Sequence, residues 1–315
     1  MIFISYLIGL ATGLHLLNLL TIPFIGLVIY FTFKKLNTKN FLINVMLSLA
    51  TFFGVQNLII KGIPLIAQNI GVFGLLFFIS VVIAFNIYFI RRKNILSTAI
   101  MSSIILIKIG YSTYFSIFIR SGQNPNIDEN NPETVEEAIS YLNRDQYGKM
   151  TLLPRKFDNI PSKMTIVGKP EIDNRTFSSK QDIEYMLHDV PKQLTFFWNY
   201  QIKKMYNRYF LWQFAGRGPS VNEGVTPMGA NSREDGVDWT QFGFPLAFIF
   251  GLIGLVYHSI KDQRMSFSVM SLFVLTGYAI ILYLNQDDPQ PRERDYSYVG
   301  SFFAFSIWVG AGAAA

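Results

Sequence analysis

The segment Asn285-Gln-Asp-Asp-Pro-Gln-Pro-Arg-Glu-Arg-Asp-Tyr-Ser-Tyr298 gathers charged side chains between two apolar runs. Pro289 and Pro291 stiffen the backbone there. In an extended strand Arg292 and Arg294, two residues apart, project to one side with Glu293 opposite. A pair of guanidiniums at a membrane surface suits a phosphate or diphosphate headgroup, because the planar fork binds its oxygens bidentately. The alternative is an ion-paired loop in which the two arginines neutralise Asp288, Glu293 and Asp295.

Other candidates lie in or beside apolar stretches. His15 stands in Gly9-Leu-Ala-Thr-Gly-Leu-His-Leu-Leu-Asn18, where a polar group at membrane depth faces a bundle interior or a cavity. It is either a ligand-facing base or a packing histidine satisfied by a backbone carbonyl or by Asn18. Lys108 is a second cation inside an apolar run, placed to meet a phosphate or to snorkel toward an interface. Arg208 and Arg217 flank Tyr209-Phe-Leu-Trp-Gln-Phe-Ala-Gly216, an aromatic stretch that fits sugar stacking with phosphate binding, or an interfacial aromatic belt. The chain has no cysteine, which excludes disulfides, thiolate metal sites and cysteine nucleophiles. Its three histidines, His15, His188 and His258, are far apart and form no local metal motif. No metal is implied, and a divalent ion at Asp287 and Asp288 stays open. Phosphate-loop, serine-hydrolase and dinucleotide fingerprints are absent.

These residues must be positioned by membrane helices. Of 315 residues, half are hydrophobic and 15% charged, with a mean hydropathy of +0.29. That composition suits a polytopic membrane protein rather than a soluble domain. Apolar runs cover about Ile2 to Phe33, Phe41 to Ile60, Asn69 to Ile90, Ile95 to Ile119, Phe242 to Ile260 and Ser266 to Leu284, and a seventh starts near Gly300. Gly9, Gly13 and Pro23 predict a tilted or broken first helix. The expected architecture is an all-α bundle of about seven spans, with four in residues 1–119, an α-rich extracytoplasmic insert at 120–241, and three more in 242–315, the last cut short. Met1 is followed by apolar residues without a basic region, so no signal peptide is expected.

Charge sets the orientation. The region from Arg120 to Asp238 is nearly neutral, with 15 basic and 16 acidic residues, so the net charge of +6 resides in the short loops. That is a topology signal and not a nucleic-acid footprint. Lys34, Lys35, Lys39, Arg91, Arg92, Lys93, Lys261 and Arg264 mark the cytoplasmic side, which places the insert and the Asn285 to Val299 loop outside. Within the insert, Asn131 as N-cap, Pro132 and Glu133 predict a first helix carrying Val135, Ala138, Ile139 and Leu142. An irregular stretch follows through Gly148, Pro154, Pro161, Gly168 and Pro170. A second, aromatic helix is expected from about Lys180 to Trp212, lying at the membrane interface or packed on the insert's own core. Gly216 to Asp238 reads as a flexible loop able to cover a site.

Five of these stretches carry a resemblance: Gly9 to Leu20, Ile119 to Glu133, Tyr141 to Gly148, Met205 to Gly216 and Gln290 to Ser301. Together they are similar to a bacterial protein O-mannosyltransferase-like membrane family within the C-type glycosyltransferase superfamily. The resemblance implies transfer of a hexose such as mannose from a polyprenyl-phosphate carrier to Ser or Thr of exported proteins, in the bacterial inner membrane with the insert in the periplasm. It implies no cofactor beyond the lipid-linked sugar, and membrane lipids and acceptor proteins as partners. His15, Arg292, Arg294, Arg217 and Lys108 become candidates for the carrier phosphate, and Asp295 a weak candidate for the catalytic acid or base. The superfamily usually has an acidic motif in its first extracytoplasmic loop, and the family adds a His-Pro-Pro-Gly-like segment soon after. Neither occurs here, so the resemblance implies an internal fragment lacking the likely base. Two other classes compete: a transporter or lipid-handling protein with His15 and Lys108 along its pathway, and an envelope-complex scaffold docking through the insert.

Overall fold

The computed structural model describes residues 2–35, 37–128, 130–143, 155, 190–217, 236–286 and 293–315. Among them the chain is helical, and its only β pairing is an isolated antiparallel bridge between Arg217 and Val237. Five helices are long and apolar enough to cross a membrane: Leu16–Phe33, Thr38–Leu58, Phe73–Arg91, Ile95–Ser121 and Gln263–Leu284. Ile2–Leu14 and Leu246–Lys261 are shorter apolar helices. The protein is an all-α polytopic membrane protein. It divides into two compact units, Met1–Gly26 with Leu36–Gln146, and Leu27–Lys35 with Tyr147–Ala315.

The first unit opens with α1 (Ile2–Leu14), a 3-10 turn (Leu16–Leu20) and the start of α2 (Thr21–Phe33), whose residues from Leu27 on belong to the second unit. The break falls at His15, whose backbone is extended and whose Nδ1 accepts from the Leu17 N–H at 3.2 Å. Asn18 Nδ2 donates across it to the Ala11 carbonyl at 2.7 Å. Then follow α3 (Thr38–Gly54), continued by a π turn at Val55–Ile60, α4 (Gly62–Arg91), α5 (Ile95–Tyr111), a 3-10 turn at Ser112–Phe115 and α6 (Ser116–Ser121).

Contacts fix the helix directions. Gly9 abuts Ile107 while Gly13 faces Thr113 and Tyr114, so α1 and α5 run the same way. Leu19 and Ile22, at the start of α2, share a core with Val55, Ile60, Ile107 and Tyr111. Farther along, Gly26 abuts Ser48, so α2 runs against α3. The first apolar run is therefore a hairpin of two helices, with His15 at its tip. Gly9 and Gly110 make the α1–α5 crossing possible, since a β-carbon on either would run into the other helix's backbone. None of the Phe73–Arg91 stretch of α4 is buried, an arrangement for apolar side chains that suits lipid.

The insert's first helix, α7 (Val135–Asn143), begins later than the sequence reading expects. Its cap is Thr134, not Asn131: the Glu137 N–H donates to Thr134 Oγ1 at 3.2 Å, and the Thr134 N–H donates to Glu137 Oε2 at 2.9 Å. This capping box outcompetes Asn131, whose φ of 39° belongs to a turn. The irregular stretch from Gly148 to Pro170 lies, apart from Arg155, outside the described residues.

In the second unit the aromatic insert helix is described from Val190. It comprises α8 (Val190–Phe196), a π segment (Phe197–Asn207) and α9 (Arg208–Phe214). Its further helices are α10 (Leu246–Lys261), α11 (Gln263–Thr276), α12 (Tyr278–Leu284) and, after a 3-10 turn at Asp295–Tyr298, α13 (Val299–Ala313). The aromatic helix neither floats at an interface nor serves only the insert. Met205, Tyr206 and Tyr209 are wholly buried. The Phe210 ring sits 6.3 Å from Phe248 on α10, 5.7 Å from Phe273 on α11 and 4.8 Å from Phe305 on α13, so this helix is the core around which those three pack. Opposite it, α10 and α13 meet backbone to backbone, Gly254 against the Trp308 carbonyl and Gly312 against the Phe250 carbonyl.

Candidate functional site

The second unit joins the C-terminal end of the aromatic helix to the segment that enters the last helix. Arg208, on the first turn of α9, is 7% exposed and donates from Nη2 to Glu293 Oε2 at 2.8 Å. Tyr209 donates its hydroxyl to the same oxygen at 2.5 Å and accepts the Arg294 N–H at 3.1 Å. Burial, and then its hydrogen bond to Glu293, push the Tyr209 phenol well above its ordinary range, so it remains a donor. The sequence alternative of a self-neutralising loop is thus corrected in part. Glu293 pairs with an arginine 85 residues away, and Arg294 has no ion pair among the described residues.

Trp212 lies one turn on from Arg208. The guanidinium carbons of Arg208 and Arg217 stand 4.6 and 4.3 Å from its ring centroid, and Tyr209 contacts it edge-on at 5.2 Å. Stacking of two cations on one indole places positive charge beside a desolvated aromatic surface. Arg217 is fixed by the bridge to Val237, by Gln241, which accepts its N–H at 2.5 Å, and by the approach of Gly216 to Asp238. Gly216, with φ of 151°, must be glycine here, since a β-carbon would strike the Asp238 carbonyl. Residues 218–235, most of the loop expected to cover a site, lie outside the described residues.

Two buried donors in this region have no acceptor among the described residues: Trp212 Nε1 and Arg294 Nε. Among the described residues Arg294 Nη1 reaches the Tyr296 hydroxyl alone, at 3.5 Å. A buried donor without a partner carries an energetic penalty that a bound acceptor would relieve. The half-buried Arg294 guanidinium therefore has the properties of an oxyanion site.

A polar frame holds the other end of the same loop. Asn285 ends α12 in the left-handed region, with φ of 40°. Arg155 is 4% exposed and directs Nη1 to the Ile281 and Leu282 carbonyls, each at 3.3 Å, and to Asn285 Oδ1 at 3.4 Å. Its guanidinium also rests on the Phe197 ring at 4.9 Å. Gln201 Nε2 donates to the Gln286 carbonyl at 2.7 Å, and the Tyr298 hydroxyl to Gln286 Oε1 at 3.1 Å. A cation on the last carbonyls of a helix complements its dipole.

Of the sequence candidates, Arg217 and Arg294 belong to this cluster. Asp295 follows Arg294 as the first residue of the 3-10 turn, half-buried. Arg292, Asp287 and Asp288 lie outside the described residues. In the first unit, His15 is exposed at the hairpin tip, where its own side chain caps the turn. Lys108 is half-buried on α5 with its ammonium 5.3 Å from the Phe78 ring centroid on α4. Sequence reasoning missed Glu293, Tyr209 and Arg155 as fixing elements; the alternating charges of Arg292 to Asp295 were the one local hint.

Residues 1–40 match the family described as Protein O-mannosyl-transferase TMEM260 N-terminal domain. This match covers the α1–α2 hairpin with His15 at its tip. No curated protein and no solved structure matches the chain.

Proposed function

We propose that this chain acts in a membrane glycosyltransferase of the protein O-mannosyltransferase kind. A hexose moves from a polyprenyl-phosphate carrier to a Ser or Thr hydroxyl of an exported protein. The observation that carries this reading is the Arg294 guanidinium, half-buried and without an acidic partner among the described residues, on a residue whose N–H donates to Tyr209, the ring packed against the indole that bears two further arginines. The family match over residues 1–40 supports the transferase class.

In the reaction, the bond between the sugar's anomeric carbon and the phosphate oxygen breaks, and its electron pair leaves on the lipid phosphate. The acceptor hydroxyl oxygen bonds to the anomeric carbon and releases its proton to a carboxylate, for which Asp295 is this chain's candidate. Arg294, with Arg292 and Arg217, stabilises the departing phosphate charge. The protein sits in the bacterial cytoplasmic membrane with the insert in the periplasm, as the charge asymmetry of the loops supports.

The test is intact-mass spectrometry of exported proteins from source cells with the gene, without it, and with the Arg294→Gln form. The expected outcome is a loss of hexose-bearing mass on Ser/Thr peptides in the deletion, not restored by Arg294→Gln. An unchanged glycan profile in the deletion would remove the transferase reading.

A further inference from the structure

We propose that Glu293 recognises the sugar hydroxyls of the ligand whose phosphate Arg294 binds, a role that rests on the transferase reading above. Both donors that reach Glu293, from Arg208 and Tyr209, converge on Oε2. Oε1 receives no hydrogen bond among the described residues, and the side chain is 30% exposed. A carboxylate locked through one oxygen presents the other as a fixed acceptor.

The next residue offers the opposite chemistry. Arg294 has donors only, and its buried Nε is unmatched among the described residues. One buried hydroxyl ties the two together, since Tyr209 donates to Glu293 and accepts from the Arg294 N–H. An open acceptor and open donors thus sit on consecutive residues whose placement is set by the same oxygen.

Few ligands satisfy both groups. A bare phosphate uses Arg294 but meets like charge at Glu293, and a neutral sugar uses Glu293 but leaves Arg294 unmatched. A hexose joined to a phosphate satisfies both, its hydroxyls donating to Oε1 and its phosphoryl oxygens accepting from Arg294. Trp212, the aromatic ring that would otherwise stack on a sugar, already carries the Arg208 and Arg217 guanidiniums, so recognition of the sugar falls to Glu293.

The experiment measures binding of two probes to the full chain in lipid nanodiscs: a short-chain polyprenyl phosphate, and the same lipid bearing mannose on its phosphate. Wild-type protein should prefer the mannosyl lipid. Arg294→Gln should weaken both probes by roughly tenfold or more, the scale of a charged hydrogen bond. Glu293→Gln should weaken only the mannosyl lipid, by about tenfold. Equal loss of both probes in Glu293→Gln would overturn the assignment. Because that change also breaks the ion pair, Arg208→Met serves as the second variant: it removes the same pair but leaves the carboxylate held by Tyr209. It should keep the preference for the mannosyl lipid, and loss of preference as complete as in Glu293→Gln would reduce Glu293 to a structural role. Failure of the wild-type chain to bind either probe would instead remove the carrier-phosphate reading on which the assignment rests.

Discussion

Tyr209 concentrates much of the site's order in one atom. Its ring is wholly buried, packed on Trp212 and Tyr298, while its hydroxyl bridges Glu293 and the Arg294 backbone. Tyr209→Phe keeps the ring and deletes only the bridge. Hydrogen bonds to charged groups contribute about 1.5 to 3 kcal/mol, so thermal unfolding in detergent should show a loss of roughly that size. Affinity for polyprenyl phosphate should fall as well, because Arg294 loses its fixed backbone. A variant with wild-type stability and affinity would show that the bridge is dispensable. At this scale the sequence was partly legible. The chemistry of an arginine pair in a proline-stiffened loop could be read from residue types, and Arg294 is found half-buried with its Nε unmatched among the described residues. The partner of Glu293 could not, because Arg208 is 85 residues away and sequence-local reasoning set Glu293 against its neighbouring arginines.

Helix boundaries depended on which local signal dominated. At α7 two candidate caps compete, and the reciprocal Thr134–Glu137 bonds prevail over Asn131. In the aromatic helix the π segment at Phe197–Asn207 shifts the register, so a 3.6-residue period cannot give the buried face. Glycine content was a better guide. Gly9 and Gly13 marked a disturbed first run, and the hairpin turns at His15 where the side chain can cap it. The α10–α13 contact depends on the same device in a tighter form. At Gly254 a β-carbon would meet the Trp308 carbonyl, which is backbone and cannot rotate aside. Gly254→Leu should therefore force the helices apart and lower stability by at least about 1 to 3 kcal/mol, the range for overpacking a close contact. Gly310, which has open space around it, provides the control: Gly310→Ala should leave the unfolding temperature within about a degree, since surface changes fall within ±0.5 kcal/mol. Equal effects at the two glycines would mean that the close approach is not what holds α10 to α13.

At the scale of the whole molecule, membrane residence was the most legible property, since composition and apolar runs fix it without reference to any single contact. Orientation rests on a separate argument, the concentration of lysine and arginine in alternate loops, and it decides which compartment the cluster around Arg294 faces. A lipid-phosphate sugar donor used outside the cytoplasm requires that cluster to be outside. The absence of cysteine makes the question directly accessible, because any introduced thiol is the only one in the chain. Ile127→Cys, at a position 90% exposed, and Thr240→Cys, also exposed, probe the insert side of each unit. Arg92→Cys and Gln263→Cys, both exposed, probe the opposite loops of the same units. A membrane-impermeant maleimide applied to intact cells should label the first pair and leave the second untouched until the membrane is permeabilised. The reverse pattern would place the Arg294 cluster in the cytoplasm, where transfer to exported proteins has no acceptor. A split pattern, with one unit labelled on each side, would mean that the loop charges do not set the topology of this chain.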